Sequence, residues 1–141
     1  PDPEDLAPEW KPKSYRWATW KENRLVALQA DAEGMCTVKL KGQATREIRL
    51  NYATEQGGWI RVELISKKGL WPPTGPKRIA GYTFADCDPL SGDSLSQAVT
   101  WNGSAVLLPK TSDKDDPLRL HSNTVLRLHM FRAKLFAIEW E

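Results

Sequence analysis

Apolar and polar residues alternate one for one through most of the chain, and no stripe of helical period persists beyond two turns. The pattern predicts an all-β fold. Between Arg46 and Ala53, Ile48, Leu50 and Tyr52 point one way while Glu47, Arg49 and Asn51 point the other, as in a strand with one face on a core. Trp59 to Ile65 repeats the pattern with Ile60, Val62 and Leu64 inward. The intervening Glu55-Gln56-Gly57-Gly58 has the glycines of a tight connection, which predicts a hairpin with Trp59, Arg61 and Glu63 side by side on its outer face.

Two more hairpins follow from the same reasoning. Arg24 to Ala30 and Thr37 to Lys41 read as strands joined across Asp31-Ala32-Glu33-Gly34, with Val38 and Leu40 inward in the second. Val125 to Phe131, with Leu126, Leu128 and Met130 inward, reads as a strand paired through Arg132-Ala133-Lys134 with Leu135 to Trp140. That last strand would turn Phe136, Ile138 and Trp140 inward and pair with an early strand. Asn102-Gly103 is a hairpin-type turn signal. The segments 67–78, rich in Pro and Gly around Trp71, and 109–117, with Asp113-Lys114-Asp115-Asp116, read as loops. Together these elements predict a two-sheet antiparallel β-sandwich of the jelly-roll or concanavalin-like kind. Its shared core would hold Ile48, Leu50, Tyr52, Ile60, Val62, Leu64, Leu126, Leu128, Phe136 and Ile138.

At 141 residues the chain has room for one core, assigned to 15–141, with the proline-rich 1–14 as a linker from a preceding domain. Twenty Lys plus Arg against 18 Asp plus Glu give a net charge of +2, which is no nucleic-acid signature. No run approaches the roughly 18 apolar residues of a membrane span, and no signal peptide is visible. Cys36 and Cys87 permit one disulfide without demanding it. Tryptophan changes the picture: seven, against three Phe and three Tyr. Its flat, amphipathic ring serves cores with a polar exit, interfaces, and platforms that stack on sugar rings.

Candidate chemistry is sparse. Asp86, Asp88 and Asp93, with Ser91 and Ser94, offer oxygen ligands for calcium, although Leu90 occupies a ligand position of the EF-hand template; the other reading is a turn whose side chains bond nearby amides. His121 and His129 lack Cys or acidic partners at metal-ligand spacing, and Cys87 lacks a nearby His. Phosphate-cradling glycine motifs are absent. No catalytic set assembles, so the expected role is non-enzymatic. Trp59 and Trp71, with Arg61 and Glu63, are the leading sugar-contacting candidates, followed by Trp17 and Trp20, one of which its strand leaves outside. The bland alternative is that Trp59 or Trp71 packs on a neighbouring domain.

Three stretches carry a more specific likeness: Trp20-Lys21-Glu22-Asn23-Arg24-Leu25-Val26-Ala27-Leu28; Ile60-Arg61-Val62-Glu63-Leu64-Ile65; and Ile79 through Asp86-Cys87-Asp88-Pro89-Leu90-Ser91-Gly92-Asp93-Ser94 to Val99-Thr100-Trp101. Their order resembles the C-terminal β-sandwich of bacterial five-bladed propeller proteins related to glycoside hydrolase family 32 and to sialidase-like proteins. The likeness spans about residues 15 to 141 and departs at 67–78 and 109–117. It implies an accessory sandwich, secreted or periplasmic, beside an upstream catalytic domain of the same chain, with an oligo- or polysaccharide as ligand. It assigns no catalytic residue here. The rival expectation is a purely structural sandwich that buttresses a propeller.

Overall fold

The computed structural model describes residues 19–39, 47–66, 77–105, 107 and 124–140. The predicted linker 1–14, most of the loop 67–78 and the loop 109–117 lie outside them. The described residues are all-β and hold no helix. Five strands, β1 (Leu28–Lys39), β2 (Ile48–Ser66), β3 (Lys77–Arg78), β4 (Asp93–Ala98) and β5 (Thr124–Trp140), form one antiparallel sheet in the order β1-β5-β2-β3, with β4 also on β2. As expected for the terminal strand, β5 pairs with early strands, and it lies between β1 and β2.

None of the three hairpins forms. Each is one long strand interrupted by a bulge, and the three interruptions lie at one level of the sheet. Between the paired rows of Ala133 and Phe131, β5 inserts Arg132, β1 inserts Asp31 and Ala32 opposite it, and β2 inserts Glu55 to Gly58. Bulges bend a strand and strengthen its twist, so three in register crease the sheet without reversing the chain. Glycine and turn-forming residues serve a bulge as well as a hairpin, which is why local pattern chose the wrong one. At Gly58 a Cβ would stand 2.4 Å from the carbonyl oxygen of Arg132, so only glycine lets the β2 excursion rest on β5.

The alternation itself holds. Ile48, Leu50, Tyr52, Ile60, Val62, Leu64, Leu126 and Leu128 are all fully buried and form one cluster with Met130, Val99, Trp101, Leu90 and Cys87. Burying each large side chain contributes about 1.5–3 kcal/mol. Two expectations fail at the end of β5. Phe136 is itself a bulge residue, skipped between the Tyr52–Leu135 and Asn51–Ala137 pairs, and Leu135 is buried in its stead. Ile138 and Trp140 do share rows with Leu50 and Ile48. Ile138, half-buried, packs against the core cluster as expected, but β1 pairs no farther than Leu135, and Trp140 is 40% exposed. The turn at Asn102-Gly103 is as predicted: both residues have positive φ (50° and 80°), and Trp101 and Ser104 exchange backbone hydrogen bonds of 2.9 and 3.0 Å.

The segment before β1 is fastened by Arg24, whose role the sequence does not announce. Its guanidinium donates to Asn51 Oδ1 at 2.8 Å and to the Tyr52 carbonyl at 2.9 Å, pairs with Asp93 at 2.7 Å and lies 4.5 Å over the Phe136 ring. Asn51, expected outside, is therefore buried.

Candidate functional site

Above the crease, cross-strand pairing sets Trp59 beside Phe131, Arg61 beside His129 and Glu63 beside Arg127, in three alternate rows that share one face. Trp59 is half-buried. Its indole stacks on Phe131 (centroids 6.0 Å apart, 27° between planes), meets the His129 ring edge-on at 4.8 Å and has the Arg61 guanidinium 5.4 Å from its centroid. His129 also touches Phe84 at 5.6 Å and the carboxylate of Glu33 on β1. Sequence spacing could not reveal that acidic partner, which lies 96 residues away.

Glu63 does not stand on an open face. It is fully buried, with Arg127 3.3 Å from one carboxylate oxygen and Arg78 3.4 Å from the other. Neither Glu63 Oε2 nor the buried Nε of Arg61 has a well-aligned hydrogen bond. Glu63 thus belongs to a packed ionic layer with Arg127 and Arg78, while Arg61 is half-buried, so of the polar neighbours predicted for Trp59 Glu63 is withdrawn from solvent and Arg61 partly so.

What Trp59 does border is a groove of about 400 Å³, lined by Thr54, Glu55, Gln56, Gly57, Gly58, Trp59, Pro89, Ser91 and Gly92. One wall is the β2 excursion. The other is the segment Pro89–Gly92, locked antiparallel to β2 by paired 2.9 Å bonds between Leu90 and Ile60 and by a 2.7 Å bond from the Thr54 amide to the Gly92 carbonyl. The Ser91 hydroxyl donates to the Gly58 carbonyl at 2.8 Å, tying wall to wall. Glu55, Gln56, Gly57, Pro89 and Gly92 are exposed, so an aromatic edge, a carboxylate, an amide and bare glycine backbone share one concave surface. Sequence reasoning named Trp59, offered Ser91 only as an oxygen ligand for calcium, and passed over Glu55 and Gln56 because it assigned the excursion to a turn.

The three aspartates have separate partners. Asp86 accepts from the Thr83 hydroxyl (2.8 Å) and amide (3.2 Å), and Asp88 from the Thr100 hydroxyl (2.6 Å) and the Gly103 amide (2.8 Å). Asp93 pairs with Arg24 and, at 3.6 Å, with Lys21. These bonds hold all three carboxyls below their usual range, with Thr83, Thr100 and Arg24 respectively as the main causes. Among the described residues no three His, Cys, Asp or Glu side chains gather as a metal-holding group.

Cys36 and Cys87 are free thiols, separated by β5 and β2. Burial pushes Cys87 up to about 11, and its sulfur accepts the Val62 amide at 3.3 Å. Of the other tryptophans, Trp20 is 60% exposed, Trp101 is buried, and Trp10, Trp17, Trp71, like His121, lie outside the described residues. A second, apolar surface runs over Val26, Leu28, Phe136 and Ile138 around a hollow of about 340 Å³. Comparison with protein-family models, curated proteins and solved structures gives no match.

Proposed function

We propose that this domain is a non-catalytic carbohydrate-binding module, with the Trp59 groove as its glycan site. The observation that carries the reading is the composition of that groove: one half-buried indole bordering a shallow hollow otherwise lined by Thr54, Glu55, Gln56, Pro89, Ser91 and glycine backbone. A sugar ring presents an apolar face and a rim of hydroxyls, and such a surface offers a partner to each. The likeness to the sandwich beside glycoside hydrolase propellers supports the same reading. On this reading the module belongs to a secreted or periplasmic bacterial protein that degrades polysaccharide, with a catalytic domain upstream. The sandwich architecture is part of this proposal: strands that bend at bulges can pass from one packed layer to the other, and the aligned crease gives β1, β2 and β5 such corners.

Affinity electrophoresis in gels containing individual soluble polysaccharides tests it. At least one gel should retard the domain, and Gln56→Ala should weaken that retardation while the melting temperature stays near wild type. Trp59→Ala should cost about 1–3 kcal/mol of binding if stacking matches that on nucleobases. It also removes contacts to Phe131 and His129, so Trp59→Phe serves as the better-folded control. No retardation in any gel would overturn the reading.

The accessory, purely structural alternative has its own supporting observation. Leu25 (69%), Val26 (78%) and Leu28 (50%) are exposed together, and aliphatic surface of this kind suits a protein interface better than a hydroxylated ligand.

A further inference from the structure

The Trp59 groove is not isolated. A smaller hollow of about 140 Å³, lined by Gln29, Ala30, Ala53, Thr54, Glu55, Arg132, Ala133 and Lys134, shares Thr54 and Glu55 with it. The two hollows therefore adjoin along the crease, where the three bulges interrupt β1, β5 and β2 together. The β2 excursion is longer than the single extra residue of an ordinary bulge, and Glu55, at its start, lines both hollows.

Their chemistry differs. The first hollow has the indole, the amide of Gln56 and backbone. The second has two cations, Arg132 and Lys134, against one carboxylate, Glu55, and adds the exposed Gln29. Arg132 spends part of its charge on Glu55, at 3.2 and 3.3 Å. Lys134 is exposed and forms no ion pair among the described residues. At 140 Å³ the second hollow is too small to be a ligand pocket by itself, but it suffices as the end of a longer one.

We infer that the crease is a two-subsite groove for an acidic oligosaccharide: a sugar ring against Trp59, and the carboxylate or sulfate of an adjoining residue against Lys134 and Arg132. This rests on the carbohydrate reading of the Trp59 groove. Glu55 has a definite place in it, since it neutralises Arg132 in the free protein and leaves Lys134 as the available charge. An anionic substituent bonded to a cationic side chain gains more than a neutral hydroxyl does, and the gain falls with salt because both cations are exposed.

Matched probes separate this inference from the reading beneath it. Titration calorimetry would compare oligogalacturonate with its methyl ester, and a sulfated galactan oligosaccharide with its desulfated form. In at least one pair the acidic member should bind on the order of tenfold tighter at low salt. Lys134→Gln should remove most of that preference and leave the neutral member's affinity unchanged. Trp59→Phe should weaken both members alike. Equal binding of the two members, or a preference that survives Lys134→Gln, would overturn the acidic subsite and spare the glycan site. Absence of binding by every member of both pairs would overturn the inference, and the polysaccharide gels would then decide the fate of the glycan reading.

Discussion

The indole N–H of Trp101 reaches the carbonyl oxygen of Val62 at 2.9 Å, while the amide of Val62 donates to the sulfur of Cys87 at 3.3 Å. Two side chains thus replace the neighbouring strand that Val62 lacks on one edge. Both lie in the stretch from Ile79 to Asn102, and that stretch is closed by bonds of its own, from the Asp88 amide to the Thr100 carbonyl and from the Asn102 amide to the Asp86 carbonyl, each 2.9 Å. Its residues hold Pro89–Gly92, one wall of the groove, against β2. Trp101→Phe keeps the ring but strands the buried carbonyl of Val62, so urea denaturation should show a loss of about 1–3 kcal/mol.

Cys87 predicts behaviour at alkaline pH. Its folded value of about 11 lies above that of an unfolded thiol, near 8.5, so folding favours the protonated form. The contribution is fully present below the unfolded value and is lost as pH rises through the folded one. Stability should therefore decline between about pH 8.5 and 11. The Cys87→Ala variant should lack this part of the decline. At pH 8 an aromatic disulfide reagent should modify Cys87 only after denaturant is added.

On the acid side the sign reverses. Asp86, Asp88 and Asp93 have depressed values in the folded state, so their contribution is complete above the unfolded carboxyl range near pH 4 and is lost as pH falls through the folded values. Melting temperature should hold steady from neutrality to about pH 5 and drop below pH 4. In Asp88→Asn the drop should be shallower, with a lower plateau at neutral pH.

Glu63 should be among the least replaceable polar residues. Glu63→Gln leaves Arg127, which still reaches solvent, without its counter-charge and leaves a buried amide to find partners, a change that should cost about 1–3 kcal/mol. Arg78, two-thirds exposed, screens its own interaction with water, and Arg78→Ala should cost no more than about 1 kcal/mol. Parallel chemical denaturation of the two variants checks the contrast.

The β2 excursion supplies a last pair. Gly57 sits at φ 80° with open space around it, so Gly57→Ala should cost about 1 kcal/mol, the strain of a left-handed residue. Gly58→Ala must push β5 away and should cost clearly more, with visible disturbance of the Arg132 and Phe131 amides in an NMR spectrum.

Which residues face inward was legible in the chain; how the segments connect was not. Bulge arithmetic explains the difference. An excursion of two residues in β1 or four in β2 preserves the parity of alternation, so Tyr52 and Ile60 both read inward whether the chain turns or continues. The single extra residue Arg132 inverts parity, taking the buried set from Leu128 and Met130 to Ala133 and Leu135. Nothing in Leu135-Phe136-Ala137-Ile138, apolar throughout, marks that inversion. Glu63 misled for another reason: alternation gives a side, and only the long-range approach of Arg127 and Arg78 reveals that the side is covered. Trp59 stands out in the sequence because its ring type is informative wherever it sits, whereas Glu55, Gln56 and Lys134 come together only once the crease exists.

The place of β5 between β1 and β2 also bears on how the molecule comes into being. On a ribosome β1 and β2 emerge first, and they have no pairing with each other in the finished sheet. Each must wait, with an unsatisfied backbone edge, for the last of the five strands. Such edges are where nascent chains stick to one another. A chain arrested before residue 124 should remain protease-sensitive and bound to chaperones, and release of β5 should convert it in a single cooperative step.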